Sequence, residues 1–222
     1  MPSTDNPTIG PGSSPAPGCV ILATILTVFG GLAILYTIVA NVQNRRLGGF
    51  TEDQPAKIET FAPSAEQTEK ANQKLGDLVR AALTNESDRV LFSADDLNTL
   101  IATRELLKDF RGQTFIRKIG AEGIEAEMSQ PMRKGFFGGG RRYLNGTFVL
   151  KPELKGGTVL FRVADIRVPD REVPRAFVES YAALEFFRLD LKNEDFLPVL
   201  KKLGSVYLEG DSAVAETRVE LQ

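Results

Sequence analysis

Residues 114–132, TFIRKIGAEGIEAEMSQPM, decide the fold of this chain. From Thr114 onward the apolar side chains recur with a period of about two, which is the period of a β-strand. Residues 120–123 begin and end with glycine and divide the run into two strands, so the pattern predicts a β-hairpin. Apolar residues before this segment mostly recur at helical spacing. The chain therefore changes here from helices to antiparallel strands.

Further strands are predicted on the carboxyl-terminal side of the hairpin. Residues 143–150 and 158–168 form two long runs joined by a turn that contains proline and glycine. A closing hairpin is expected over residues 205–221, with its turn at Gly210. Because consecutive strands are joined by short turns, we expect a meander of antiparallel neighbours.

Helices are predicted on both sides of these strands. Ser64 and Gln67 form a capping-box pattern that begins a helix, and Ser93 with Asp96 begins a second helix directly after a short strand. A third helix is predicted over residues 174–187, because proline suits a first helical turn and a wide apolar stripe follows it.

This order of elements predicts an α+β fold, with a curved antiparallel sheet packed on one or two long helices. An N-terminal transmembrane helix precedes that domain. The predicted division is a disordered Pro- and Ser-rich tail (1–17), a transmembrane helix (18–44), a linker (45–63) and a single α+β domain (64–222).

Residues 18–44 contain no charged side chain, and residues 20–40 are apolar enough to cross a bilayer once. At about 1.5 Å of rise per residue, this helix matches a hydrocarbon layer of roughly 30 Å. A cleaved signal peptide and a buried core helix are the alternatives. We favour a retained anchor, because the run exceeds the usual 7 to about 15 apolar residues and has no basic flank before it. Arg45 and Arg46 follow it directly and favour a cytoplasmic domain by the positive-inside rule.

Composition argues against catalysis and against several partners. The chain has no histidine and one cysteine, which removes the commonest general base and the commonest zinc ligands. A net charge of -2 gives no reason to expect nucleic acid. Neighbouring carboxylates, which could serve an acid-base or metal site, stand at helix starts or on one strand face: Asp95 with Asp96, Glu125 with Glu127, and Glu194 with Asp195. We therefore expect no enzyme, no cofactor and no metal.

A glycine-rich segment at residues 134–140 lies between two predicted strands. It does not fit a nucleotide-binding loop, because the lysine and the hydroxyl residue of that motif are replaced by arginines and no helix follows. Its aromatic and basic side chains suit an anionic lipid surface. The predicted membrane-surface loop comprises Arg133, Lys134, Phe136, Phe137, Arg141 and Arg142. The alternative is a mobile hairpin whose phenylalanines fold back onto the sheet.

The phrase FSADDLNTLI at residues 92–101, followed by a meander and a helix, resembles a group of bacterial membrane-attached proteins with a TULIP-like (tubular lipid-binding) domain. The resemblance implies that Leu97 and Asn98 begin a helix under a curved sheet, and that the sheet and the helix over residues 174–187 enclose an apolar groove. It also implies an extracytoplasmic, periplasmic domain, whereas Arg45 and Arg46 favour a cytoplasmic one. The predicted groove residues are Phe161, Phe177, Tyr181 and Leu184.

The sequence thus predicts a noncatalytic, single-pass membrane protein whose domain binds lipid or another apolar ligand. An envelope structural or assembly protein, which recruits a partner protein through a sheet edge, is the alternative. A dry apolar cavity between sheet and helix favours the first function, whereas a solid core favours the second.

Overall fold

The computed structural model describes residues 16–133, 141–184 and 197–219, and the chain forms two compact units, residues 1–46 and 47–222. The first unit is built on helix α1, Ala16–Gly48. Its portion Val20–Gly48 is long and apolar enough to cross a membrane, as predicted. Threonine hydroxyls in this helix bond to carbonyl oxygens four residues earlier, which satisfies them without water.

Both predicted capping boxes begin helices. Helix α2, Ala65–Thr84, follows Ser64, whose hydroxyl accepts from the backbone of Gln67. Helix α3, Ala94–Thr103, follows Ser93. The Ser93 N–H donates to the carboxylate of Asp96, and the Asp96 N–H donates to the hydroxyl of Ser93. The structure adds a 3-10 helix that was not predicted, Glu105–Phe110.

The predicted meander is a four-stranded antiparallel sheet with the strands in chain order. Its strands are β2 (Thr114–Gly120), β3 (Gly123–Arg133), β4 (Arg141–Lys155) and β5 (Thr158–Arg167). The register shifts within the β2–β3 pair and within the β4–β5 pair, and such bulges increase local twist.

A second, three-stranded antiparallel sheet was not predicted. It comprises β1 (Arg89–Phe92), β6 (Leu203–Glu209) and β7 (Ser212–Thr217), in the order β1-β7-β6. Strand β1 pairs with β7, with Arg89 opposite Glu216. The prediction of one sheet missed this arrangement because the two strands lie far apart in sequence, and local periodicity holds no information about such a pairing.

Helix α4, Arg175–Ala182, begins directly after the predicted proline, Pro174, but ends before Leu184. The last residues of the predicted helix, 185–187, and the predicted carboxylate pair Glu194 and Asp195 lie outside the described residues. Helix α5, Leu197–Lys202, leads directly into β6.

Residues 47–63 differ from the predicted linker because they pack on the domain. Phe50 and Ile58 are buried, and Glu52 forms an isolated β-bridge with Tyr143. The guanidinium of Arg142 donates to the hydroxyl and carbonyl oxygens of Thr51, each at 2.6 Å. The Gly and Pro content that suggested a linker instead shapes an irregular segment whose apolar side chains fill gaps in the core.

Candidate ligand-binding cavity

A cavity of about 570 Å³ lies inside the domain. Helices α2 and α3 and the 3-10 helix form one wall, and strands of both sheets form the opposite wall. This volume falls within the range of roughly 300 to 1,000 Å³ that is typical of small-molecule sites.

The lining is predominantly apolar. The helical wall carries mainly aliphatic side chains: Leu75, Leu78, Val79, Leu97, Leu100, Ile101, Leu106 and Leu107. The strand wall is also apolar and includes Phe92, Ile116, Ile124, Ala126, Met128, Leu150, Val159, Phe161, Leu203, Val206, Ala213, Val214 and Ala215. Such a surface holds apolar groups by removing them from water and offers few hydrogen bonds.

Two lining residues are exposed and mark the mouth of the cavity. Gly76 lies on α2 and Glu105 begins the 3-10 helix. A Cβ atom placed at Gly76 would meet no atom within 4 Å, so the space beside this glycine is open. The exposed part of the lining is therefore on α2 and the 3-10 helix, which we take as the mouth, and the buried and half-buried strand residues form the floor.

Polar atoms without partners gather at the same cavity. In the described part of the chain, four buried side-chain atoms have no hydrogen-bond partner: Asn72 Oδ1, Thr99 Oγ1, Arg104 Nε and Thr114 Oγ1. Asn72, Arg104 and Thr114 all line the cavity. An unsatisfied buried polar group costs about 1 to 3 kcal/mol, so a ligand that bonded to these atoms would recover that cost.

The structure separates the residues of the predicted groove. Phe161 lines the cavity. Phe177 and Tyr181 instead pack into an aromatic cluster, in which the Phe177 ring centroid lies 4.8 Å from that of Phe50 and 5.7 Å from that of Tyr181. Burial raises the pKa of Tyr181 to about 12. Leu184 is exposed. Only one of the four predicted side chains therefore reaches the cavity.

The predicted membrane-surface loop falls mostly outside the described residues, which exclude Lys134, Phe136 and Phe137 and the side chain of Arg133. Arg141 is exposed. Arg142 is half-buried and bonds to Thr51 and Asp53, so its guanidinium stabilises the domain.

The sequence did not predict the part of the cavity wall that Glu105–Phe110 forms. Leu106, Leu107 and Phe110 all line the cavity from this 3-10 helix. Their spacing of three and four residues is a signal of a short amphipathic helix. The polar residues around them, and the brevity of the run, made that signal weak.

Three of the carboxylates considered for catalysis, Asp96, Glu125 and Glu127, have structural partners. Asp96 accepts hydrogen bonds from Lys74 at 2.5 Å and from the Ser93 backbone at 2.8 Å. Burial raises the pKa of Asp96, but these bonds outweigh it and hold the pKa below its ordinary value. Glu125 and Glu127 pair with arginines. Among the described residues no group of acidic or cysteine side chains could hold a metal ion.

Comparison of the chain with protein-family models, curated proteins and solved structures finds no match. The resemblance to TULIP-like proteins therefore stays a prediction, and the functional interpretation rests on the cavity itself.

Proposed function

We propose that this protein is a membrane-anchored, noncatalytic binding module whose domain holds the hydrocarbon chain of a lipid or a similar apolar ligand. The apolar cavity of about 570 Å³ carries this proposal. An empty methyl-sized space in a protein core costs about 1 kcal/mol, so a scaffold with no ligand would gain stability by filling such a volume. The residues that line the cavity are instead arranged around open space.

The anchor complements this function, because a tethered domain meets membrane lipids at high local concentration. Helix α1 supplies the span, and we place the domain outside the cytoplasm, as the resemblance implies. Labelling with a membrane-impermeant maleimide tests this placement. Glu122→Cys, on the exposed turn after β2, in a Cys19→Ser background should react in intact bacterial host cells. Labelling that requires cell lysis would place the domain in the cytoplasm.

Native mass spectrometry of the full chain, released from detergent micelles, tests ligand binding. We expect a lipid-sized adduct that survives purification. Ala126 is buried on the cavity floor, so Ala126→Leu should fill part of the cavity and reduce the adduct. Ala164→Leu, the same change at an exposed position of β5, is the matched control and should leave the adduct unchanged.

A clean apo mass, also after incubation with fatty acids and phospholipids, would contradict the proposal. Equal loss of adduct in both variants would show that the adduct binds elsewhere. The melting temperature of each variant shows whether a lost adduct reflects a cavity filled by the new side chain or a domain that has unfolded.

A further inference from the structure

We propose that the occupant is a single-chain amphiphile with an anionic group, and that Arg104 binds this group at the mouth while the hydrocarbon chain extends to the strand wall. This inference rests on the proposed function and specifies the ligand class. Its observations are the charge of the lining, the unpaired atoms around it and the position of the mouth.

The electrostatics of the lining favour an anion. Among the described residues that line the cavity, only Arg104 and Glu105 are charged. The carboxylate of Glu105 lies 3.0 Å from Lys108 and 3.6 Å from Arg111, so nearby cations balance its charge. The guanidinium of Arg104 has no ion pair within the described part of the chain. The lining therefore has an uncompensated positive charge.

Two of the three unpartnered polar atoms among the described lining residues point the same way. The Nε–H group of Arg104 and the hydroxyl of Thr114 are buried donors without acceptors in the described residues. A carboxylate or phosphate accepts several hydrogen bonds at once, and its bonds to a guanidinium are about twice as strong as neutral ones. An acidic headgroup bound at Arg104 would satisfy its Nε–H, whereas a neutral hydroxyl would leave the arginine charge uncompensated.

The backbone holds Arg104 in the required place. This residue caps the carboxyl end of α3, where its N–H donates to the carbonyl oxygen of Leu100 at 2.8 Å, and it directly precedes the exposed Glu105. An anionic group beside Arg104 therefore lies near water, and the apolar chain of the same molecule has the buried strand wall within reach. A fatty acid or a lysophospholipid has this arrangement, with a charged group at one end and a hydrocarbon chain at the other.

A competition experiment tests the headgroup. The full chain in detergent is incubated with equal amounts of palmitate and hexadecanol, and adducts are quantified by native mass spectrometry. These ligands share one chain length and differ in charge. We expect palmitate to bind about tenfold more tightly or better, since one charge-assisted hydrogen bond accounts for roughly that factor. Lysophosphatidate replaces palmitate in a parallel arm, and its order relative to palmitate identifies the carboxylate or the phosphate as the preferred group.

Three variants assign the preference to Arg104. Arg104→Gln should bind palmitate and hexadecanol about equally, and Arg104→Lys should retain much of the preference for the acid because it keeps the charge. Arg80→Gln removes an exposed arginine of α2 outside the lining and should keep the preference of the original chain for palmitate over hexadecanol.

The outcomes separate this inference from the proposed function. If hexadecanol binds as tightly as both anions, or if Arg104→Gln keeps the preference, the headgroup assignment is wrong while the apolar cavity stands. If none of the three amphiphiles binds, the proposed function fails with it. Unchanged hexadecanol binding by Arg104→Gln shows that this variant is folded.

Discussion

The side-chain amide of Asn98 forms two hydrogen bonds with the backbone of Ile116, one to its N–H and one to its C=O, each at 2.8 Å. Strand β2 stands at the end of its sheet, so Asn98 occupies the place of a neighbouring strand at this residue. Both residues are buried, and Ile116 lines the cavity. This contact holds α3 against β2 and so joins an element of each cavity wall.

Asn98→Ala should lower the free energy of unfolding by about 2 to 5 kcal/mol, because it leaves a buried N–H and a buried C=O of Ile116 without partners. Urea unfolding of the full chain in detergent, followed by circular dichroism, measures the change. Lys118→Ala on the same strand replaces an exposed residue and should change stability by no more than about 0.5 kcal/mol. Equal effects of the two substitutions would contradict a special role for Asn98.

Asp96 should make the stability of the domain depend on acid pH. Its pKa in the folded chain lies below the ordinary value of 3.8, so its stabilising contribution is present above that value and is lost as the pH falls through the folded-state pKa. Asp96→Asn should therefore destabilise the domain at about pH 7 by roughly 1 to 3 kcal/mol, and the difference should shrink at about pH 3.

Urea unfolding at both pH values checks this expectation. Asp95→Asn, one residue earlier and exposed, is the control and should cost no more than about 0.5 kcal/mol. A penalty for Asp96→Asn that is the same at both pH values would show that the ionised carboxylate contributes nothing.

Phe50 should behave as a core residue although it stands only two residues after the end of α1. Its side chain is 3% exposed and its ring packs on Phe177. Phe50→Ala should cost about 3 to 5 kcal/mol in unfolding free energy, because it removes a large ring and leaves a cavity. Leu83→Ala removes a side chain that is 67% exposed and should be nearly neutral. If Phe50→Ala left the free energy of unfolding unchanged, residues 47–63 would be a linker that does not contribute to the core.

Two glycine substitutions should have opposite signs. Gly76→Ala places a Cβ atom in open space within α2 and should stabilise the helix by about 0.5 to 1 kcal/mol. Gly123→Ala should destabilise by about 1 kcal/mol or more, because Gly123 has φ +153° and its added Cβ would lie 2.6 Å from Val149 Cγ1. Thermal unfolding of both variants side by side measures the difference, and a loss of stability in Gly76→Ala would contradict the open mouth.

The sequence predicted those features that depend on residues a few positions apart. Ser64 and Ser93 begin helices because their hydroxyls bond to amides three residues later. The hairpin at residues 120–123 forms because two alternating runs flank a short glycine-bounded turn. These local signals suffice for the α+β class and for the order of most elements.

The candidate site was less accessible to such reasoning. Phe161 lines the cavity, but the side chains on α4 that were expected beside it are covered by other rings. One of these rings belongs to Phe50, in a segment whose composition gave no sign of burial. Arg104 carries no motif, and its significance arises only because its Nε–H is buried beside a cavity.

The sequence by itself determined a single long apolar helix, two capped helices and a meander of strands, because each follows from spacing along the chain. Tertiary structure decided the pairing of Arg89 with Glu216, the burial of Phe50 and the cavity between α2, α3 and the two sheets. A cavity is the space that remains after distant elements have packed against each other. Its shape and its unpaired donors therefore depend on contacts between residues that are far apart in the sequence.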